Sequence, residues 1–279
     1  MSAFYVKKSD GTFEYFDINK IRQSLKRSGV KKNNIEKIIE QIKTEIYDGI
    51  SSDLIYQRIS ELLRKYEKKA YLRYNLPNAV AKLGPDGFAF EAFLVEVFKK
   101  KGYKKIFRGR KIRGKCMTHE LDVVGENDFE KLTIEAKFHN SRSKKTDFQV
   151  ILYMKARFED LEKGGYYGQK KPKQIIVTNT KFTDNAKKYA KCSGVDVLSW
   201  NYPKMKNLHD LILDSNIHPV TAVFSLSKNV RNELISKKIV TIDQLIKNDF
   251  QALNELKTLS KKKKQDIIEE VEEFFIKNI

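Results

Sequence analysis

The sequence predicts a multi-domain α/β protein: a small hairpin-plus-helices domain, an α/β/α core with helices on both faces of a sheet, and a small all-helical C-terminal domain. Three observations predict it. Apolar residues recur at helical spacing from Ile18 to about Leu76. After the break Leu83-Gly-Pro-Asp-Gly87, short alternating runs interleave with helical stretches, the order of a sheet flanked by helices. From about Phe224 the pattern is helical again. The expected domains are residues 1–83, 84–218 and 219–279.

Each element has its own signal. Phe4 to Phe16 reads as a hairpin turning at Asp10-Gly11. Asp17 suits the N-cap of a helix carrying Ile18, Ile21 and Leu25. Ile35, Ile38, Ile39, Ile42 and Ile46 form a second stripe, and Ile55, Ile59, Leu62, Leu63 and Tyr66 a third, behind Ser51-Ser-Asp53. Phe88 to Lys101 is an amphipathic helix with Phe90, Leu94, Val97 and Phe98 inward. Strands are expected at 104–112, 119–124 and 131–138, then a helix from about Thr146 to Glu162. A strand at 174–178, a helix to Lys191 and a strand at 195–200 complete the core. In the tail, Val230, Leu234 and Ile235 form one helical turn, and Ile242, Leu245 and Ile246 another. Ser260 caps a last helix with Ile267, Ile268, Val271 and Phe274 inward.

The chain has 279 residues, 55 Lys and Arg against 36 Asp and Glu, and a net charge of +19. Such a balance favours polyanionic partners, nucleic acid first and an anionic membrane surface second. Two cysteines, Cys116 and Cys192, make no disulfide framework and suit a reducing compartment. No segment approaches the roughly 18 apolar residues of a membrane span, so a soluble cytoplasmic protein is expected.

The chemistry concentrates in Lys131 to Phe138. Leu132, Ile134, Ala136 and Phe138 lie on one face of a strand; Thr133, Glu135 and Lys137 lie on the other. Asp122 stands near the middle of the preceding strand. An Asp on one strand and Glu-x-Lys on its hairpin partner can hold a divalent metal and a water beside a phosphodiester. For those three residues alone, a solvated strand face is the alternative. Glu120 is an extra ligand or, preferably, solvated at the strand start. His119 and His139-Asn140 flank the strands and either touch a phosphate or serve as acid or, preferably, are hydrogen-bonded structural residues. Gln149 and Tyr153, at i and i+4, share one helix face.

Residues 87–200 resemble the PD-(D/E)XK nucleases of the Mrr, restriction-endonuclease-like type. The resemblance rests on Phe90-Glu91, Gly102-Tyr103, Leu121-Asp122-Val-Val124 and Ile134-Glu-Ala-Lys137. It implies that Asp122 and Glu135 ligate Mg²⁺ or Mn²⁺ and that Glu91 completes the acidic cluster. Lys137 would position the attacking water or help to deprotonate it. Gln149 with Tyr153 is similar to a supporting motif that contacts DNA or the site.

Residues 1–83 resemble the ATP-cone, a nucleotide-binding regulatory module. The match runs through Val6-Lys-Lys-Ser-Asp-Gly11, Glu14-Tyr-Phe-Asp-Ile-Asn-Lys-Ile21 and Gly49-Ile-Ser-Ser-Asp53. It implies an ATP or dATP site lined by Lys8, by Glu14, Tyr15, Phe16, Asp17, Ile18, Asn19 and Lys20, and by Ser51. Ser9 replaces the family's usual arginine, which removes one phosphate contact. With no Walker-type loop, the nucleotide is expected to act as an effector without being hydrolysed. Leu256 to Ile267 resembles the second half of a helix-hairpin-helix unit without its glycines, with Lys261–Lys264 available to phosphates.

Together these features predict a Mg²⁺-dependent DNA endonuclease with adenine nucleotide as regulatory input, by resemblance in restriction or defence. A nucleotide-sensing DNA-binding regulator with an inactive nuclease fold and a structure-specific repair nuclease are the alternatives. DNA and adenine nucleotide are the expected partners, a membrane is not, and a homodimer or higher homo-oligomer stays open.

Overall fold

In this computed structural model, which describes residues 4–8 and 11–276, the chain opens with a hairpin. Strand β1 (Tyr5–Lys7) pairs antiparallel with β2 (Phe13–Tyr15), Val6 opposite Glu14. Gly11 closes the turn: its N–H donates to the Lys8 carbonyl, and its φ of +85° suits a residue without Cβ. Asp10, the other expected turn residue, lies outside the described residues. Asp17 caps α1 (Ile18–Arg27) by accepting from the Asn19 N–H at 2.8 Å. The isoleucine stripe forms α2 (Lys32–Glu45), which buries Ile35, Ile38, Ile39 and Ile42; Ile46 is its C-cap.

The next element is absent from the sequence reading. A two-residue strand, β3 (Ile50–Ser51), pairs parallel to β1 and makes the sheet order β2-β1-β3. Two residues are too few for alternation to register. Ser51 then caps α3 (Ser52–Tyr66), accepting from the Leu54 N–H at 3.1 Å. A further helix, α4 (Lys68–Ala81), runs through Pro77. The chain divides into two compact units, 1–76 with 269–279, and 77–268.

In the second unit, α5 (Phe88–Lys100) buries Phe90, Phe93, Leu94, Val97 and Phe98. The strands β4 (Phe107–Arg113), β5 (Thr118–Glu126) and β6 (Glu130–Lys137) form an antiparallel meander. After β7 (Lys145–Thr146) and α6 (Phe148–Lys163), β8 (Lys171–Thr178) pairs parallel to β6. Then follow β9 (Lys181–Phe182), α7 (Asp184–Ser193), β10 (Asp196–Leu198) and α8 (Leu208–Ser215). The main sheet has the order β10-β8-β6-β5-β4, and β7 and β9 pair separately. Ile151, Met154 and Phe158 of α6 and Ala186 of α7 pack with Leu121, Val124 and Ile176 of the sheet in one core.

One strand boundary is corrected, and one alternative reading falls. Strand β4 begins at Phe107 rather than 104, because the chain turns first, with the Ile106 N–H donating to the Lys104 carbonyl. The polar face of β6 is not solvated: Thr133 is 0% and Glu135 4% exposed. Strand β6 sits mid-sheet between β5 and β8, where both faces are covered.

The tail carries α9 (Lys228–Ser236), α10 (Ile242–Asn254) and α11 (Lys261–Val271), with a wider last turn at Glu272–Ile276. Ser260 accepts from the Lys263 N–H at 3.3 Å, as its cap role predicts. Helix α10 is interrupted at Lys247–Phe250, where Asn248, Asp249 and Phe250 take positive φ. Among the described residues no helix is long and apolar enough to cross a membrane.

Candidate active site

The carboxylates gather where the β5–β6 ladder ends. Paired residues run from Glu126 opposite Lys131 up to Val123 opposite Ile134. One step further, Asp122 and Glu135 would face each other, but Asp122 Oδ2 accepts from the Ala136 N–H at 2.7 Å instead. Across β4, Arg108 pairs with Val123 and Arg110 with Leu121, which puts Gly109, at φ +62°, opposite Asp122. Helix α5 supplies Glu91 from its first turn, where the positive end of the helix favours an acid. Arg108 joins Glu91 to this edge, with Nη1 3.8 Å from Glu91 Oε2 and donating to the Phe88 carbonyl at 3.1 Å.

Burial and mutual repulsion hold this cluster short of full ionisation. Burial first, then the Asp122 charge, pushes Glu91 up to about 7, against the pull of Arg108. Burial and then the Glu135 charge push Asp122 up to about 6, against the hydrogen bond from Ala136. Glu135 is held on both oxygens: Oε1 by Lys137 Nζ at 2.5 Å and Oε2 by Arg157 Nη1 at 2.9 Å.

Arg157 is the residue the sequence reading missed. It reaches in from α6, also donating to the Glu120 carbonyl at 3.0 Å and to the Tyr153 hydroxyl at 2.7 Å. Its guanidinium lies 4.7 Å from the Tyr153 ring centroid. The signal was one helical step away, since Gln149, Tyr153 and Arg157 are spaced i, i+4, i+8. Gln149 itself is exposed in the first turn of α6 and, among the described residues, makes no side-chain hydrogen bond. Glu120 is exposed. His119 shares Asp160 Oδ2 at 2.7 Å, and that carboxylate also accepts from the Cys116 and Met117 N–H groups. His139 meets Thr146 Oγ1 at 3.0 Å, and Asn140 donates to the Pro85 carbonyl.

The donor set fits a hard divalent cation. Among the described residues no three His, Cys, Asp or Glu side chains enclose a common point. Mg²⁺ needs no such cage, because it keeps several waters and takes one or two carboxylates. Asp122 and Glu135 are oxygen donors at one end of one ladder, with Glu91 near enough that the Asp122 charge adds to burial in raising it. For Glu135 to serve as a ligand, it must exchange one of its two cationic partners.

In the first unit, Lys8 and Lys20 meet on one carboxylate. Lys8 Nζ lies 2.9 Å from Glu14, and Lys20 pairs with the other Glu14 oxygen. The Tyr15 ring stands 4.4 Å from that of Tyr5. The Phe16 N–H donates to the Phe4 carbonyl, Ile18 opens α1, and Asn19 accepts from Arg22 at 3.3 Å. Ser51 caps α3, and its Cα pairs with Lys7 across the sheet, one residue from Lys8. The residues expected around a nucleotide thus lie just after β1, on β2 and the link behind it, at the start of α1 and on β3.

Three family matches cover most of the chain: the ATP cone domain at residues 4–76, a restriction endonuclease domain at 84–208, and the AF1548-like C-terminal domain at 218–275. An uncharacterized protein of Archaeoglobus fulgidus is 35% identical over 159 residues, which is 57% of this chain and 87% of that one. The transcriptional repressors NrdR of Natronomonas pharaonis and Halomicrobium mukohataei are 38% and 34% identical over 80 residues. This chain spans about half the length of those repressors, 49% in each case. Among solved structures, that of AF1548, described as a protein of unknown function, matches with a TM-score of 0.54 and 29% identity. The match covers 68% of this chain and 98% of that one.

Proposed function

The chain belongs to the AF1548-like family and joins an ATP-cone to a restriction-endonuclease domain, and on that footing we propose that it is a metal-dependent DNA endonuclease with ATP or dATP as regulatory input. The observation that carries the reading is the meeting of Asp122, Glu135 and Lys137 at the end of the β5–β6 ladder. Asp122 and Glu135 would hold the cation, with Glu91 as the third acid. A divalent ion there, Mg²⁺ or Mn²⁺, would stabilise charge on the phosphoryl oxygens and lower the pKa of the attacking water. Lys137 would orient that water and screen the crowded carboxylates. Arg157 holds Glu135 in position from behind. A nucleotide triphosphate would compete with Glu14 for Lys8 and Lys20, which links its occupancy to a rearrangement of the cone.

Incubating the full chain with plasmid DNA tests this directly. Nicking or linearisation in Mg²⁺ or Mn²⁺, stopped by EDTA and altered by ATP or dATP, is expected. Intact plasmid in both metals, with and without nucleotide, would overturn it. The likeness of the cone to NrdR repressors favours as second reading a nucleotide-sensing DNA-binding protein. That reading predicts nucleotide-dependent DNA binding without any cutting.

A further inference from the structure

Strand β4 is the outer edge of the main sheet, and its composition is unlike that of any other strand in the fold. It reads Phe-Arg-Gly-Arg-Lys-Ile-Arg, and every residue except Ile112 is exposed. It has four cations and no acid. Among the described residues Arg110, Lys111 and Arg113 have no ion-pair partner, whereas Arg108 reaches Glu91 of the candidate site. Two phenylalanines lie along this edge in the open: Phe107 is 45% and Phe88 62% exposed. Each carries a guanidinium, with Arg110 4.5 Å from the Phe107 ring centroid and Arg108 5.3 Å from that of Phe88.

Charged edge strands also serve simply to discourage pairing with other chains. That role does not call for exposed aromatic rings, which work against it. It does not account for Gly109 either. Gly109, in the position opposite Asp122, takes φ +62°, a conformation that residues with a Cβ rarely adopt, and a Cβ there would meet nothing within 4 Å. Cations that track phosphates, rings that offer flat faces to bases, and a backbone position without a side chain opposite Asp122 are together the features of a grip on a nucleic-acid strand with unpaired bases.

We propose that the β4 edge and the start of α5 bind a DNA strand with unpaired bases, which stack on Phe88 and Phe107, and lead its backbone over Arg108 and Arg110 to the acids. This deepens the nuclease reading and rests on it, since it makes single-stranded or forked DNA the preferred substrate over a blunt duplex.

The test is fluorescence anisotropy of the full chain in EDTA, where affinity cannot depend on cutting. The probes are a single strand, a forked duplex and a blunt duplex of equal length. Tighter binding of the single strand and fork is expected. Phe88→Ala and Phe107→Ala should each weaken that binding about five-fold or more, the effect of one base stacked on one ring, and weaken the blunt duplex less. Both rings are exposed, and unchanged thermal melts would verify that the variants fold. Equal affinity for all three probes would overturn the proposal. So would a preference for unpaired DNA that survives both truncations, because the grip would then lie elsewhere. Failure to cleave plasmid, by contrast, bears on the nuclease reading alone.

Discussion

Replacing Asp122 by Asn should make the metal-free protein more stable at pH 8 while abolishing cleavage. The Asp122 carboxyl, ordinarily at 3.8, stands at about 6 in the fold. Its pKa is therefore raised, so the folded state binds its proton more tightly than the unfolded chain does. Below pH 3.8 both states are protonated and the ionisation penalty is absent. As the pH rises towards 6, the unfolded chain releases the proton first and the fold loses stability. By about pH 8 the loss is complete, at about 1.36 kcal/mol for each tenfold difference, or about 3 kcal/mol in all. Asn removes the ionisation and keeps an oxygen to accept from the Ala136 N–H. The gain corresponds to a rise in Tm of roughly 6–12 °C for a unit of this size. Calorimetry or urea unfolding in EDTA at pH 4 and pH 8 reads it out. The variant should be nearly level with the parent at pH 4 and clearly above it at pH 8. If the Asp122→Asn variant is less stable than the parent at pH 8, or gains equally at both pH values, then burial and the neighbouring Glu135 charge do not raise the carboxyl. Divalent metal should close the gap, because it stabilises only the parent with its ionised acids.

Lys137→Ala, Glu135→Ala and Asp122→Ala should each abolish cleavage in a plasmid assay while most DNA binding survives; undiminished cutting by any one removes that residue from the chemistry. Arg157→Ala leaves the buried Glu135 with one cation fewer and should cost about 3 kcal/mol in urea unfolding, the usual penalty for breaking a buried pair. Lys8→Ala and Lys20→Ala should weaken ATP binding measured by calorimetry on the full chain, and reduce a nucleotide effect that would typically amount to about 5–150-fold in affinity. Replacing Lys261–Lys264 with Ser should shallow the log–log salt dependence of duplex binding by about 0.9 per lost phosphate contact. The total should be nearer three contacts than four, because Lys264 already donates to the Asn254 carbonyl; an unchanged slope would place the tail away from DNA.

The sequence by itself determined what depends on neighbours in the chain. Asp17, Ser51 and Ser260 cap the helices that follow them, because a cap needs only the N–H groups two or three residues on. The alternation around Glu135 and the isoleucine stripe of α2 were legible because period is a local property. Tertiary structure decided whatever depends on which segments meet. It buried Thr133 and Glu135 by placing β6 between β5 and β8, so that a face legible as polar lies inside the fold. It brought Arg157 to Glu135 across 22 residues of sequence and set Gly109 opposite Asp122 through the β4–β5 register. It also put Lys8 and Lys20 on the same Glu14 carboxylate and added β3 beside β1. In each of these cases the energy lies in a contact between distant segments, and no spacing within one segment carries that information.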